Sequence, residues 1–117
     1  MPQAIPIVDF LVKRSELPVL DVRSEGEFES GHIPGAINIP LMENEERVAV
    51  GTTYKQNGRE AAVLKGLELT GPHLKDRLKH AVRTLGTDEV LVHCWRGGMR
   101  SEFFATLLGM YGLNVCM

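Results

Sequence analysis

One cysteine, two glycines and two arginines lie within eight residues, where they could form a thiolate beside an anion-binding turn. We call residues 93–100 the cysteine turn; they are His93-Cys94-Trp95-Arg96-Gly97-Gly98-Met99-Arg100. The thiolate is the nucleophilic form of cysteine, and nearby cations and helix N-termini favour it. Two adjacent glycines can take positive φ angles, so that successive backbone N–H groups converge on an anion. The pattern therefore predicts that Cys94 is an activated nucleophile in an anion-binding loop.

The residues on either side place the cysteine turn between a strand and a helix. The apolar run at 90–92 is typical of a buried strand, and the apolar spacing over 101–111 predicts a helix. In parallel α/β sheets, ligands bind beyond the carboxyl ends of the strands. We therefore expect Cys94 at the ligand-binding edge of a sheet, with the N-terminus of the following helix directed at it.

Strand and helix patterns alternate along the rest of the chain. Apolar runs predict five strands, at residues 4–7, 18–22, 36–39, 90–93 and 113–117. Helices are predicted over 8–14, 24–30, 44–50, 59–67, 72–85 and 101–111, with a polar loop at 51–58. Ser24 and Glu27 have the spacing of a capping box, which starts the second of these helices. The alternation predicts an α/β fold with a mainly parallel five-stranded sheet flanked by helices.

Composition indicates one soluble globular domain over residues 1–117. The chain is 44% hydrophobic and 24% charged, with a net charge of −2, so it has no overall basic footprint for nucleic acid. No apolar run has transmembrane length, and no signal peptide pattern begins the chain. Cys94 and Cys116 make no disulfide framework, and no His/Cys cluster has metal-ligand spacing. An exposed reactive thiol fits a reducing compartment, so we expect a cytoplasmic domain without membrane or metal.

Asp21 and Arg23 follow the strand predicted at 18–22 and are candidate accessory residues. An Asp–Arg pair at a strand end is usually an ion pair that holds two loops together. A general acid at Asp21 is the alternative interpretation.

Four stretches of this sequence resemble a known family. Residues 18–28 and 31–40 resemble the N-terminal signature of rhodanese-like domains, and Cys94 takes the active-site position of those domains. Residues 45–58 and 94–101 resemble one branch of the superfamily, the tRNA 2-selenouridine synthases. The general resemblance covers nearly the whole chain.

The resemblance implies a function in tRNA modification. Members of that branch exchange the sulfur of 2-thiouridine at the wobble position for selenium, with selenophosphate as donor and a geranylated intermediate. Their rhodanese-like cysteine carries the selenium adduct, so Cys94 would take selenium or sulfur with no bound cofactor. A P-loop domain follows in the branch, but this chain has no G-x-x-x-x-G-K-[ST] sequence. We therefore expect it to be the N-terminal part of a longer, tRNA-binding transferase, truncated near the end of the domain.

Lys55 and Arg59 lie at the end of one of these stretches and are further accessory candidates. A polar, basic loop there could contact a phosphate donor or the tRNA backbone. A solvated loop without a function is the alternative.

The loop length leaves rival functions open. Five residues separate Cys94 from Arg100, a spacing that also resembles cysteine-dependent phosphatases, including the cell-cycle phosphatases that share the rhodanese fold. Phosphate ester hydrolysis usually needs a carboxylic acid near the leaving group, and residues 95–99 contain none, which favours chalcogen transfer. A non-catalytic anion-binding module is the third alternative. In each case the binding loop comprises Trp95, Arg96, Gly97, Gly98, Met99 and Arg100.

Overall fold

The structure, a computed structural model, describes residues 5–14, 16–93 and 99–117. Its strands are β1 (Val19–Asp21), β2 (Ile37–Asn38), β3 (Glu89–His93) and β4 (Asn114–Cys116). All neighbours pair in parallel, in the order β2-β1-β3-β4. The predicted parallel α/β sheet is confirmed, but across the described residues it has four strands rather than five.

The strand predicted at 4–7 is the one that the described part of the sheet lacks. Helix α1 (Ile7–Lys13) begins there instead, with Pro6 at its N-cap position. Proline donates no backbone hydrogen bond to a sheet, whereas its fixed φ suits the start of a helix. The backbone N–H of Ile5 still donates to the carbonyl of Met117 at 3.1 Å, so this segment lies beside the end of β4.

Four further α-helices complete the described chain. They are α2 (Glu25–Glu29), α3 (Asn44–Thr70), α4 (Leu74–Leu85) and α5 (Met99–Tyr111), with a 3-10 turn (Gly71–His73) between α3 and α4. The loop predicted at 51–58 is wrong, since α3 continues through it as far as Gly58. Gly58 has φ 88° and ψ −175°, and this non-helical residue divides α3 into two halves. The segment looked like a loop because most of its residues are exposed, which leaves no amphipathic pattern.

The sheet is buried on both faces. On β3, Val90 and Val92 face the larger core cluster, which includes Phe104 and Leu108 of α5, and Leu91 packs with Phe10 of α1 on the other side. This two-sided burial explains the continuous apolar run of β3, because a strand covered on both faces needs no polar alternation. Among the described residues, no helix has the length and apolar character needed to span a bilayer.

Candidate active site

The cysteine turn leaves the carboxyl edge of the sheet, as predicted from the sequence. β3 ends at His93 and α5 begins at Met99, and α5 carries the chain away from that edge. Cys94, Trp95, Arg96, Gly97 and Gly98 lie outside the described residues. β1 is the neighbour of β3, with Asp21 opposite His93, so α2 and α5 both begin at the same edge.

Glu27 of α2 binds Arg100 of α5 across this edge. Arg100 donates from Nη1 to Oε1 of Glu27 at 2.6 Å and from Nη2 to Oε2 at 3.1 Å. Arg47 of α3 adds an ion pair, with its Nε 3.2 Å from Oε1 of Glu27. The fork geometry fixes the orientation of the Arg100 guanidinium, because two parallel hydrogen bonds leave it little rotational freedom. Arg100, the last residue of the cysteine turn, is thus held from the α2 side.

Ser24 completes the environment of the Glu27 carboxylate. Its hydroxyl donates to Oε1 of Glu27 at 2.9 Å and its backbone N–H donates at 3.1 Å, which confirms the predicted capping box. Partial burial opposes ionisation of Glu27, but the hydrogen bonds and charge of Arg100, aided by Ser24, lower its pKa to about 2. Glu27 is therefore ionised at neutral pH and has no proton to donate.

The first turn of α2 is tied to α3. The side-chain Oδ1 of Asn44 accepts a hydrogen bond from the backbone N–H of Gly26 at 2.8 Å. A Cβ at position 26 would lie 3.2 Å from that same oxygen, so glycine permits the close approach. The contact satisfies one of the free N–H groups at the helix start and fixes the position of Glu27, one residue further on.

Asp21 and Arg23 form a buried ion pair at the end of β1, the interpretation that the sequence favoured. Arg23 Nη2 lies 2.7 Å from Oδ2 of Asp21 and also donates to the carbonyl of Gly31 at 2.8 Å. The amide of Asn38 in β2 donates to the backbone carbonyls of Asp21 and Arg23. These bonds join β1, β2 and the end of α2, and a carboxylate held in this way is poorly suited to proton transfer.

His93 immediately precedes Cys94 and is half-buried. Burial lowers the pKa of His93, the nearby Asp21 opposes that shift, and Arg23 reinforces it. The imidazole is therefore mainly neutral at pH 7 and adds no positive charge beside Cys94.

Arg59 reaches the other side of the cysteine turn. It is the first residue after the break at Gly58, and its Nη2 donates to Sδ of Met99 at 3.3 Å. Met99 is exposed and occupies the first described turn of α5. Of the two accessory candidates on α3, the structure brings Arg59 to the cysteine turn, whereas Lys55 points into solvent one turn earlier.

Comparison with known proteins decides the family. A family model described as the rhodanese-like domain matches residues 8–117. This chain belongs to the rhodanese-like domain family. The domain is also 43% identical over 90 residues to a tRNA 2-selenouridine synthase from Nitrosomonas eutropha. That match covers 75% of the domain but 23% of the relative, so the domain spans about a quarter of that protein.

Two solved structures resemble the rhodanese-like domain. One is the N-terminal domain of a protein from Clostridium difficile 630 provisionally described as ATP/GTP binding, with TM-score 0.83 and 38% identity over 99% of this chain and 88% of that one. The other, SSP1007 from Staphylococcus saprophyticus, has TM-score 0.55 and 19% identity over 97% of this chain and 83% of that one, a likeness of fold alone.

Sequence reasoning on the rhodanese-like domain missed the Glu27–Arg100 pair. Glu27 was explained as a capping residue, and the two residues are 73 positions apart in the chain. The available signal was topological. Helices that follow adjacent parallel strands begin at the same edge of the sheet, so a carboxylate in one first turn faces an arginine in the other. Arg47 carried no comparable signal, because its position depends on the direction in which α3 leaves β2.

Arginine side chains make several of the charged contacts near the start of α5 in the described part of the rhodanese-like domain. Across residues 5–14, 16–93 and 99–117, no three His, Cys, Asp or Glu side chains are grouped to hold a metal ion. The charged groups of the cysteine turn and its surroundings instead include Arg100, Arg47 and Arg59, with the Glu27 carboxylate holding the first two. Glu27 thus partly neutralises two of these guanidinium groups, and Arg59 contacts Met99 instead.

Proposed function

We propose that this rhodanese-like domain transfers a selenium or sulfur atom, with the Cys94 thiolate as nucleophile. The observation that carries the proposal is the fixed Arg100. An ionised Glu27 holds the guanidinium in the first turn of α5, six residues after Cys94. Positive charge from Arg100 and from the α5 N-terminus would stabilise both a thiolate and an anionic adduct in the intervening turn.

The transfer step needs one bond made and one bond broken. Sγ of Cys94 attacks the terminal chalcogen of a donor in which that atom is bonded to a sulfonate group, such as thiosulfate or selenosulfate, and a new S–S or S–Se bond forms. The bond between that chalcogen and the rest of the donor breaks, and the leaving group departs with the electron pair. With thiosulfate as donor, the products are a cysteine persulfide anion and sulfite. The persulfide or perselenide anion would then lie against the N–H groups of residues 95–98.

We further propose that the acceptor is 2-thiouridine in tRNA, which the whole protein converts to 2-selenouridine with selenophosphate as donor. The relationship to a tRNA 2-selenouridine synthase supports this, as does the sequence of the cysteine turn. The domain corresponds to about a quarter of that relative, so a P-loop domain in the remainder would complete the reaction. A reactive thiol of this type would work in the cytoplasm, which is reducing.

The geometry favours transfer over phosphate ester hydrolysis. A phosphatase needs an arginine that forks the phosphate oxygens and an acid that protonates the leaving group. Here both terminal nitrogens of Arg100 donate to Glu27, and the pKa of Glu27, about 2, leaves it no proton to donate at neutral pH. A chalcogen adduct carries one negative charge and a phosphate group carries two, so the adduct needs less stabilisation from the same cationic groups.

Intact-mass spectrometry tests the function directly. After incubation with thiosulfate or selenosulfate, the chain should gain one sulfur or one selenium atom, and Cys94→Ser should gain none. Cys116→Ser is the matched control, since it removes the other cysteine, which lies on β4, and it should react like the wild type. An adduct that survives in Cys94→Ser contradicts the proposal. Turnover of para-nitrophenyl phosphate without any chalcogen adduct would replace it with the phosphatase.

A further inference from the structure

The α3 elbow, residues 54–59, is an exposed surface that adjoins the cysteine turn. All six of its residues are exposed. Tyr54, its aromatic residue, is 58% exposed. The elbow includes the break at Gly58, where α3 departs from helical geometry. It consists of Tyr54, Lys55, Gln56, Asn57, Gly58 and Arg59.

The charge of this part of α3 differs from that of the whole chain. Between Arg47 and Arg59, inclusive, there are three cations and no carboxylate, although the chain as a whole has a net charge of −2. Glu27 pairs with Arg47, whereas Lys55 and Arg59 are both exposed to solvent. The elbow itself therefore carries two exposed cations and no carboxylate on a slightly acidic domain, and the exposed Glu60 follows it directly.

The elbow is attached to the cysteine turn at a defined point. Nη2 of Arg59 lies 3.3 Å from Sδ of Met99, and Met99 is five residues from Cys94. A thioether sulfur is a weak hydrogen-bond acceptor. A stronger acceptor such as a phosphate oxygen could therefore replace Met99 as the partner of the Arg59 guanidinium at little cost in free energy. An anionic partner on the elbow would thus lie beside Met99, at the start of α5.

We propose that the α3 elbow docks single-stranded RNA, namely the loop that presents the base to Cys94. This inference rests on the proposed function and assigns the RNA a place on the domain. Lys55 and Arg59 would contact backbone phosphates, and Tyr54 would stack on an unpaired base. Single-stranded RNA combines the two features that the elbow offers to bind, a chain of anions and exposed base faces. A small phosphate donor has no base that could stack on the exposed ring of Tyr54.

Fluorescence anisotropy with two labelled probes tests the docking surface. The probes are an RNA hairpin with an unpaired loop and a blunt RNA duplex of equal length. The hairpin should bind the wild-type chain more tightly. Tyr54→Ala should weaken hairpin binding about tenfold, while Tyr54→Phe, which retains a stacking ring, should not. Lys55→Ala/Arg59→Ala should lower the slope of log affinity against log salt by roughly 0.7 per lost phosphate contact.

Matched substitutions elsewhere separate docking from general effects. Tyr111→Ala removes a tyrosine of similar exposure, 59%, at the far end of α5, and Lys75→Ala/Lys79→Ala removes two exposed cations from α4. Both controls should bind the hairpin like the wild type. Equal losses in elbow and control variants would overturn the proposal, as would equal binding of hairpin and duplex or no binding by the wild type at low salt.

RNA binding and adduct formation are measured separately, so the two proposals can fail separately. Tyr54→Ala, which changes no charged group, should still form the chalcogen adduct at Cys94 with thiosulfate, because a small donor needs no RNA surface. Cys94→Ser should still bind the hairpin. Loss of adduct with intact RNA binding would reject the transfer function alone, whereas loss of RNA binding by the wild type would reject the docking surface alone.

Discussion

The two sides of the cysteine turn are built differently. On the α2 side, Ser24, Arg47 and Arg100 all bond to the Glu27 carboxylate, and of these groups Ser24, Glu27 and Arg100 are largely shielded from solvent whereas Arg47 is exposed. On the side of the α3 elbow, the described residues make contact through the hydrogen bond between Arg59 and Met99, and both residues are exposed. The first side is ordered when the chain folds, so its charges are in place before any substrate arrives. The second side keeps its polar groups in solvent, where a partner can reach them.

The largest expected effect follows from removing the centre of the ordered side. Glu27→Ala should lower the free energy of unfolding by about 2 kcal/mol, because it removes a capping residue and the two hydrogen bonds that Glu27 accepts from the partly buried Arg100. Arg59→Ala, on the exposed side, should change it by less than about 0.5 kcal/mol. Urea denaturation followed by circular dichroism measures both. Equal losses would show that the two sides are equally structural.

A smaller effect is expected at the break in α3. Gly58 has φ 88°, a conformation that side chains rarely adopt, so Gly58→Ala should destabilise the domain by about 1 kcal/mol. Gly51→Ala is the control within the same helix, where φ is helical and a Cβ would meet open space. That change should stabilise the domain by about 0.5 kcal/mol. The prediction fails if thermal melts shift in the same direction for the two variants.

The ordered side should also be sensitive to acid. Because the folded-state pKa of Glu27 is lowered from 4.5 to about 2, its carboxylate contributes stability above pH 4.5 that is lost as the pH falls towards 2. The difference in unfolding free energy between wild type and Glu27→Gln should therefore shrink across this window. Denaturation at a series of pH values gives the difference, and a constant value from pH 7 to the acid limit would argue against the ion pair.

The smallest expected signal is the titration of His93. Burial lowers its pKa below the ordinary value of 6.5, so the folded state favours the neutral imidazole. Stability from this residue is present above pH 6.5 and falls as the pH drops further and the unfolded chain takes up the proton. The ring resonances of His93 should titrate below pH 6.5 in NMR spectra. A midpoint above 6.5 would mean that His93 is a cation beside Cys94 after all.

Local patterns in the sequence were sufficient for much of the fold. The capping box at Ser24 and Glu27 and the end of α4 at Gly86 are both present, since each depends on a few neighbouring residues. The ion pair of Asp21 and Arg23 is equally local. The edge of the sheet that holds the cysteine turn followed from the alternation of strands and helices.

Features that depend on distant residues or on exposed surface could not be predicted in the same way. The Glu27–Arg100 pair joins two helices that only the sheet topology brings together. The helical state of residues 51–57 was hidden, because a helix exposed on nearly all sides has no hydrophobic period to detect. Arg59 is a candidate because of the family resemblance of the stretch beside it, but its contact with Met99 depends on the direction that α3 takes after Gly58.

α3 contacts the site at two residues, and these two contacts fix the number of residues between them. Arg47 contacts the Glu27 side and Arg59 contacts Met99, with eleven residues in between. Adding or deleting one residue in that interval would rotate everything beyond it by roughly 100° about the helix axis and carry Arg59 away from the turn. Insertions beyond Arg59 would leave both contacts intact. Variation in chain length among related domains should therefore be found after this interval and not within it.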